Sequence, residues 1–342
     1  MLYLTEPDNL GEALGDEPPY RARQLREWLY EHPVLTTDDM TNLPNPVRER
    51  LASSLWPFDV EIEQTADAGE TVKWLFRCTD GSPIETVLMG YHNRTTLCIS
   101  SQVGCAMGCT FCATGQFGFD RHLDAGEIVA QVAFANAYLR AHPMPHSPER
   151  VTNVVFMGMG EPLANYKHTI ESIRRMIEEM GMSARSITVS TVGFVPGMLK
   201  LVHEPWPVNL AVSLHSTIPS ERTKLVPIND RYPIEAVVDA ANDYYVEKGR
   251  RVSLEWTLIA GENDSDEEAE GLARIARSIH AHVNVIAVNP TPLSDDLPPD
   301  RDRVRRFIGT LRREGANVTL RDTRGKDIDA ACGQLRLRAE PS

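Results

Sequence analysis

No stretch of the sequence stays apolar for the roughly 20 residues that a bilayer-spanning helix takes. Residues 1–7 have neither the basic nor the apolar part of a secretory signal. A membrane-bound or exported protein is therefore not expected, and a cytoplasmic one is. Internal repeats, low-complexity tracts and long linkers are missing too, which removes solenoids and disordered arms from consideration. Basic residues are in the minority: 35 Lys and Arg face 48 Asp and Glu, for a formal charge of −13 and a pI near 5.3. A surface coated in positive charge for a polyanion is thereby excluded. Local patches survive that argument, because screening confines charge effects to about 10 Å. Arg21, Arg23 and Arg26 form one candidate patch, and Arg321, Arg324 and Lys326 another. Cysteine is scarce, six in 342 residues. In a reducing compartment so few thiols point to metal or catalysis before structural disulfides. Paired C-x-x-C knuckles, the usual mark of structural zinc, are also missing, since only one C-x-x-C occurs.

What is present begins with apolar residues at helical spacing. Ala22, Leu25, Trp28 and Leu29 recur every three or four positions, and Met40, Leu43, Val47 and Leu51 continue the pattern past Pro44 and Pro46. A small helical domain over residues 1–55 is expected. Residues 71–76 read as a strand, Asp80-Gly81 as a hairpin turn and 84–89 as the return strand, so 56–93 is expected to be a connecting β-hairpin. From residue 94 strand and helix patterns alternate. Strands are expected near 95–99, 152–157, 186–191, 208–214, 252–259 and 283–288, with helices between them. Asp124 and Glu127 have the spacing of a capping box, ahead of an apolar face of Ile128, Val132, Ala135 and Leu139. Six such units predict an α/β fold, an open (β/α)6 relative of the TIM barrel, occupying 94–342. A strand near 317–321 and a short helix over 328–335 are expected to finish the chain.

One stretch organises the rest. Cys105, Cys109 and Cys112 stand four and then three residues apart, among Gly104, Gly108 and Gly115. On a loop, three thiolates at this spacing can converge on one metal centre, and a [4Fe–4S] cluster held by three leaves one iron open. A structural zinc with Cys98 as fourth ligand is the alternative. In a barrel of this kind the functional groups gather at the C-terminal strand ends. Gly160 and Glu161 follow one strand, Ser190 closes the next, Ser213-Leu214-His215 the one after, and Asn289 follows the last. Each alone is also a common turn or cap residue. Phe117 and Phe119 suit either stacking on a nucleobase or a place in the core. Cys98 and Cys332 are read either as small buried hydrophobes or as a facing pair, Cys78 as structural, and Glu85 as an exposed strand residue.

The C-x-x-x-C-x-x-C run after a strand resembles the radical S-adenosylmethionine (SAM) superfamily. The longer string from Leu97 to Cys105 is similar to its branch of RlmN-type dual-specificity RNA methyltransferases, and the resemblance extends from about Pro18 to Leu335. It implies a radical SAM barrel with an N-terminal accessory domain that contacts RNA. It implies 23S rRNA and tRNA as substrates, methylated at adenine C2, and a [4Fe–4S] cluster on Cys105, Cys109 and Cys112. SAM would be bound by Gly160, Glu161, Ser190, Ser213, Leu214, His215 and Asn289. Cys332 would carry the methyl group, Cys98 would resolve the covalent RNA adduct by forming a disulfide with Cys332, and Glu85 would take the C2 proton, with Arg94 and His92 as weaker candidates. An electron donor such as flavodoxin and a monomeric state go with this reading. A C8-methylating relative and a zinc-containing RNA-binding protein without catalysis are the alternatives.

Overall fold

A computed structural model describes residues 3–6, 9–291, 294–321, 324–331 and 333–335. Three short helices come first: α1 (Asn9–Leu14), α2 (Tyr20–Arg26), extended by a π-helical turn at Glu27–Glu31, and α3 (Asn45–Leu51). The residues at helical spacing do what their pattern requires. Leu25, Leu29, Met40, Leu43, Val47 and Leu51 pack with Leu4, Leu10 and Leu55 into an apolar cluster of their own. Each such side chain contributes about 1.5–3 kcal/mol when fully buried.

Next come three antiparallel strands, β1 (Phe58–Ala66), β2 (Thr71–Cys78) and β3 (Pro83–Tyr91). The expected hairpin is β2–β3, and β1 is an addition. Its apolar Val60 and Ile62 are exposed, so it lacks the half-buried alternation that betrays a strand. The strand β4 (Arg94–Cys98) pairs antiparallel with β3 and parallel with β7 (Asn153–Phe156), and there the sheet changes character. Between them lie a small hairpin, β5 (Gln102–Gly104) with β6 (Phe119–His122), the short α4 (Ala113–Gln116) inside it, and α5 (Ala125–Ala141). The capping box of α5 is present: Asp124 accepts from Glu127 N (2.8 Å) and Glu127 accepts from Asp124 N (3.0 Å). This helix is buried along most of its length, because Ile128 and Val132 face the sheet core while Val129 joins the N-terminal cluster.

The parallel array continues as α6 (Tyr166–Glu178), β8 (Ile187–Thr191), α7 (Val195–Leu201), β9 (Asn209–Ser213), α8 (Pro219–Leu225), α9 (Ile234–Lys248), β10 (Ser253–Leu258), α10 (Asp266–Ser278), β11 (His282–Ala287), α11 (Arg301–Arg313) and β12 (Asn317–Leu320). The sheet order is β1-β2-β3-β4-β7-β8-β9-β10-β11-β12. The array curls into a barrel, since Val155 of β7, Ile286 of β11 and Arg321 just after β12 meet Cys98 of β4 around one interior cavity. Among the described residues of 328–335 the expected helix is not formed. A 3-10 turn at Lys326–Ile328 ends at Asp329, whose φ of +50° is left-handed and stops helical propagation.

Candidate functional site

The loop after β5 carries Cys105, Cys109 and Cys112. Gly104 sets its entry: φ is +71°, and a Cβ there would stand 2.0 Å from the carbonyl oxygen of Gly118. That oxygen accepts from Cys105 N at 2.7 Å, so the loop is pinned to its own hairpin. On the barrel side Thr110 N donates to Leu225 O (3.1 Å), and Cys109 and Phe111 pack on Leu225, Val226, Ile259 and Val288. The three cysteines line one cavity of about 150 Å3. Burial pushes the Cys105 thiol up to about 12 and Cys109 well above its ordinary value, and in both the neighbouring thiols add to the rise. A group of buried, mutually repelling thiolates is a site that a cationic partner would stabilise.

The strand ends complete that cavity. Gly160 (φ +98°) crosses so near Gln102 that a Cβ would lie 2.5 Å from the Gln102 Cβ. Glu161 beside it is 2 % exposed, and its oxygens accept from Leu163 N and Val192 N, both at 3.0 Å. Burial lifts its carboxyl to about 7 despite those two donors and the Thr191 hydroxyl. Ser190, Ser213 and His215 line the same space. His215 has a left-handed backbone (φ +64°), and its ring Nδ1 accepts from Thr257 N at 3.0 Å. Burial, helped by Arg222, lowers its pKa to about 3. The ring is therefore neutral, with its proton on Nε2. Two expected residues do not line the cavity. Leu214 alternates away from Ser213 into the apolar core, and Asn289 is buried after β11.

Cys98 is separated from the other three. It lines a smaller cavity of about 40 Å3 with Met89, Val155, Arg321, Arg324 and Ala331. Cys98 therefore does not line the cavity of the loop cysteines, where it was the expected fourth ligand of a zinc site. The Tyr91 ring of this cavity takes the guanidinium groups of Arg94 (4.1 Å) and Arg324 (4.3 Å) against it. Cys332 lies outside the described residues. Its chain neighbours are placed: Ala331 borders the Cys98 cavity and Gly333 the cysteine-loop cavity. The segment docks through Ala113 N to Gly333 O (2.8 Å), Thr114 Oγ1 to Leu335 O (2.7 Å) and Gln334 Nε2 to Pro290 O (3.0 Å). Glu85 lines neither cavity, and it is not an exposed strand residue, being only 3 % exposed. Its Oε1 lies 2.7 Å from Lys73 Nζ, which also donates to Asp329 O at 3.0 Å. Strand register pairs Lys73 with Val87 and Val87 with Cys98, so Lys73, Glu85 and Cys98 share one face of the sheet.

Three residues near these cavities carry no motif. Lys73 is one. Arg222 of α8 is fully buried and donates to Leu214 O (3.0 Å), Asn229 Oδ1 (2.9 Å) and Val192 O (2.7 Å), all neutral acceptors. Burial lowers its pKa to about 10. Glu255 lines the 150 Å3 cavity from β10. Alternation in Ser253-Leu254-Glu255-Trp256-Thr257-Leu258 was the available signal for Glu255; an amphipathic helix hides an inward arginine. Of the basic candidates, Arg26 is paired with Glu179 (2.6 Å), Arg21 donates to Asn42 O (2.8 Å), and Arg23 is exposed. Phe117 and Phe119 are 50 % and 44 % exposed, so they are not core residues. Cys78 is buried.

The donor set fits a cluster better than a single ion. The three thiols line one cavity, and the thiolates that hold a cluster bind separate irons. The Gly160 cradle and the polar strand ends suit a small polar ligand beside it.

Comparison with known proteins agrees with this geometry. Residues 99–273 match the family model of the radical SAM superfamily, and 11–56 match that of the ribosomal RNA large subunit methyltransferase N-terminal domain. A probable dual-specificity RNA methyltransferase RlmN of Bifidobacterium adolescentis is 46 % identical, over 98 % of this chain and 89 % of its own length. One from Thermobifida fusca is 46 % identical over 96 % and 93 %. The crystal structure of a radical SAM methyltransferase from Sphaerobacter thermophilus superposes with a TM-score of 0.90 at 47 % identity, covering 98 % of this chain and 99 % of that one.

Proposed function

The chain belongs to the RlmN family of radical SAM RNA methyltransferases, and from that premise we propose that it forms 2-methyladenosine in 23S rRNA and in tRNA through a methylated Cys332. The observation that carries this reading is the pair of adjoining cavities. One is lined by the three loop cysteines and the strand ends, the other by Cys98, and the segment on either side of Cys332 borders both.

Cys105, Cys109 and Cys112 would hold a [4Fe–4S] cluster, with Gly160, Glu161, Ser190, Ser213 and His215 around SAM. When bound, cluster and SAM supply a methyl group, an electron and the means to take hydrogen from an unactivated carbon. Adenine C2 is not a nucleophile, so direct displacement is closed to it. A thiolate is the right nucleophile for a methyl group, which gives Cys332 its role as carrier. His215, whose Nδ1 accepts from Thr257 N, would have its Nε2 proton to offer a bound ligand. Glu85 would take the C2 proton from the RNA adduct; the Lys73 ammonium fixes its carboxylate on the face that bears Cys98. Cys98 then attacks the Cys332 sulfur: the S–S bond forms, the S–C bond breaks, and the electron pair left on the methylene carbon takes up a proton, so the base leaves bearing a methyl group. Cellular thiols reduce the disulfide.

The target adenine must leave its stack to reach these cavities. Exposed Phe117 and Phe119, on the hairpin that holds the cysteine loop, suit stacking on a displaced base. The separate apolar cluster of the N-terminal helices supports a domain over 1–55, followed by the connecting strands over 56–93 and the core over 94–342. A cytoplasmic monomer served by an electron donor such as flavodoxin completes this reading.

Nucleoside mass spectrometry of rRNA and tRNA after anaerobic reaction tests this. 2-Methyladenosine in both RNAs is expected. 8-Methyladenosine, or no RNA methylation by protein with its cluster intact, refutes it. Cys98→Ala is expected to accumulate protein linked to RNA through Cys332; a Cys332 peptide left unmodified refutes the assignment of the two cysteines.

A further inference from the structure

The basic residues expected to meet RNA are largely occupied within the fold. Arg26 is paired with Glu179 (2.6 Å), Arg324 is paired with Glu70 (2.7 Å), and Arg21 donates to Asn42 O. The helix α11 is different. Six of its 13 residues are arginine, in a chain of formal charge −13. Phe307, Ile308, Thr310 and Leu311 turn inward, and Val304 packs on the core. Arg303 reaches the start of α10, where it meets Asp264 and Asp266. The other five arginines are exposed. At about 100° per residue they form two stripes, Arg301, Arg305 and Arg312 on one and Arg306 and Arg313 on the other. Only Asp302 and Gly309 lie between the stripes.

Two observations separate this face from an ordinary solvated one. Charge is segregated on the barrel exterior: the exposed charges of α9 are all acidic, Glu235, Asp239, Asp243 and Glu247 at four-residue spacing, while α11 presents cations. Gly309 sits in mid-helix, where glycine is less favourable than alanine, and no packing requires it, since a Cβ there would meet nothing within 4 Å. The space it leaves runs between the two stripes. Arg301, Arg306 and Arg312 have no ion pair or side-chain hydrogen bond among the described residues. Arg305 pairs with Asp302, but these side chains are 75 % and 82 % exposed, and such a pair is weak enough to yield to another anion.

Resting on RNA as the substrate, we infer that the outer face of α11 binds the phosphate backbone of the RNA where it leaves the barrel mouth. The planar fork of arginine matches a phosphate with two parallel hydrogen bonds. A protein partner would need an apolar centre to its interface, and this face offers no apolar side chain. The helix follows β11, whose end lines the large cavity through Ile286 and Val288, so Arg301 stands on the mouth side. From there to Arg312 the stripe runs roughly 16 Å down the outside, a length along which one strand passes several phosphates. Backbone contacts carry no sequence preference, which suits an enzyme that takes two RNA classes.

The test uses the full-length, cluster-loaded protein under anaerobic conditions and a tRNA transcript. Fluorescence anisotropy follows binding from about 0.1 to 1 M salt for wild type and for the triple variant Arg301→Gln, Arg305→Gln, Arg312→Gln, in which glutamine preserves helix propensity. With one phosphate per arginine, the slope of log K against log salt should become shallower by about 2–3. Affinity should fall roughly a hundredfold near 0.15 M salt, and the gap should close toward 1 M. KM for the tRNA should rise by a similar factor while kcat at saturating RNA is kept. The urea midpoint and the affinity for S-adenosylhomocysteine should match wild type, because these side chains are exposed. An unchanged slope and affinity overturn the inference, and so does a loss of equal size at every salt concentration. A variant that keeps its RNA affinity but accepts electrons more slowly from an acidic donor protein also overturns it, and makes the face a docking site for that donor. Wild-type protein that neither binds nor methylates RNA removes the substrate reading itself, a result seen without any variant.

Discussion

Glu161 should make the cluster-free protein more stable in mild acid than in mild alkali. Its carboxyl is moved by burial from 4.5 to about 7. Between those values the folded protein holds a proton that the unfolded chain has released, so stability falls as pH rises through the window and the full loss is present above pH 7. Integrating over this interval gives about 2.5 kcal/mol between pH 5 and pH 8 from this one group. Glu161→Gln is neutral throughout and removes the dependence. The amide also turns a nitrogen toward Val192 N or Leu163 N, whose bonds to Glu161 are 3.0 Å long. That adds a pH-independent loss of about 1–3 kcal/mol. Urea unfolding of both proteins from pH 5 to 8, under reductant and without iron, measures the difference. The wild-type advantage should shrink by about 2.5 kcal/mol across the range. A difference that stays flat, or grows with pH, would refute the argument that burial dominates this carboxylate.

Arg222→Met should lower stability by about 3–5 kcal/mol, because it strands three buried acceptors, even though it removes a buried charge; an unchanged urea midpoint would contradict this. Replacing any of Cys105, Cys109 or Cys112 by Ala should abolish iron retention with the far-ultraviolet dichroism unchanged, and full iron content would exclude that residue as a ligand. Gly160→Ala should weaken S-adenosylhomocysteine binding at least tenfold while iron content is kept, since its Cβ would collide with Gln102, which holds the Glu161 amide; equal binding would show that the cradle is not the ligand site. Asp124→Ala should cost about 1 kcal/mol through the lost cap of α5, read as a lowered urea midpoint.

The parallel strands were legible in the sequence because each is a short apolar run between turn residues, and their expected positions agree with β4, β7–β12 to within two residues. The cysteine loop was legible because its spacing is local. What escaped is what depends on distant chain. β1 has no buried face to leave a pattern. Arg222 resembles a surface charge on a short helix until α8 is packed under the cysteine loop. The Lys73–Glu85 pair needs the pleat of two strands and the closing segment to become an interior ion pair. Leu214 shares the expected ligand set with Ser213 and His215, and strand alternation turns its side chain the other way, into the core.

The anchoring of the segment 324–331 has a consequence for how the enzyme is made. Gly325 N bonds Asp67 Oδ2 (3.0 Å), Arg324 bonds Glu70 Oε2 (2.7 Å), and Lys73 bonds Asp329 O (3.0 Å). Residues 67–73 leave the ribosome some 250 residues ahead of their partners, a delay of roughly 12–50 s at ordinary elongation rates. Through that interval Lys73 has Glu85 for company but not the Asp329 carbonyl, and the lining that Arg324, Ala330 and Ala331 give the Cys98 cavity is not yet made. The nascent chain can fold its N-terminal helices and most of the barrel before this segment exists. Synthesis therefore delivers the segment beside Cys332 only after the strands that receive it.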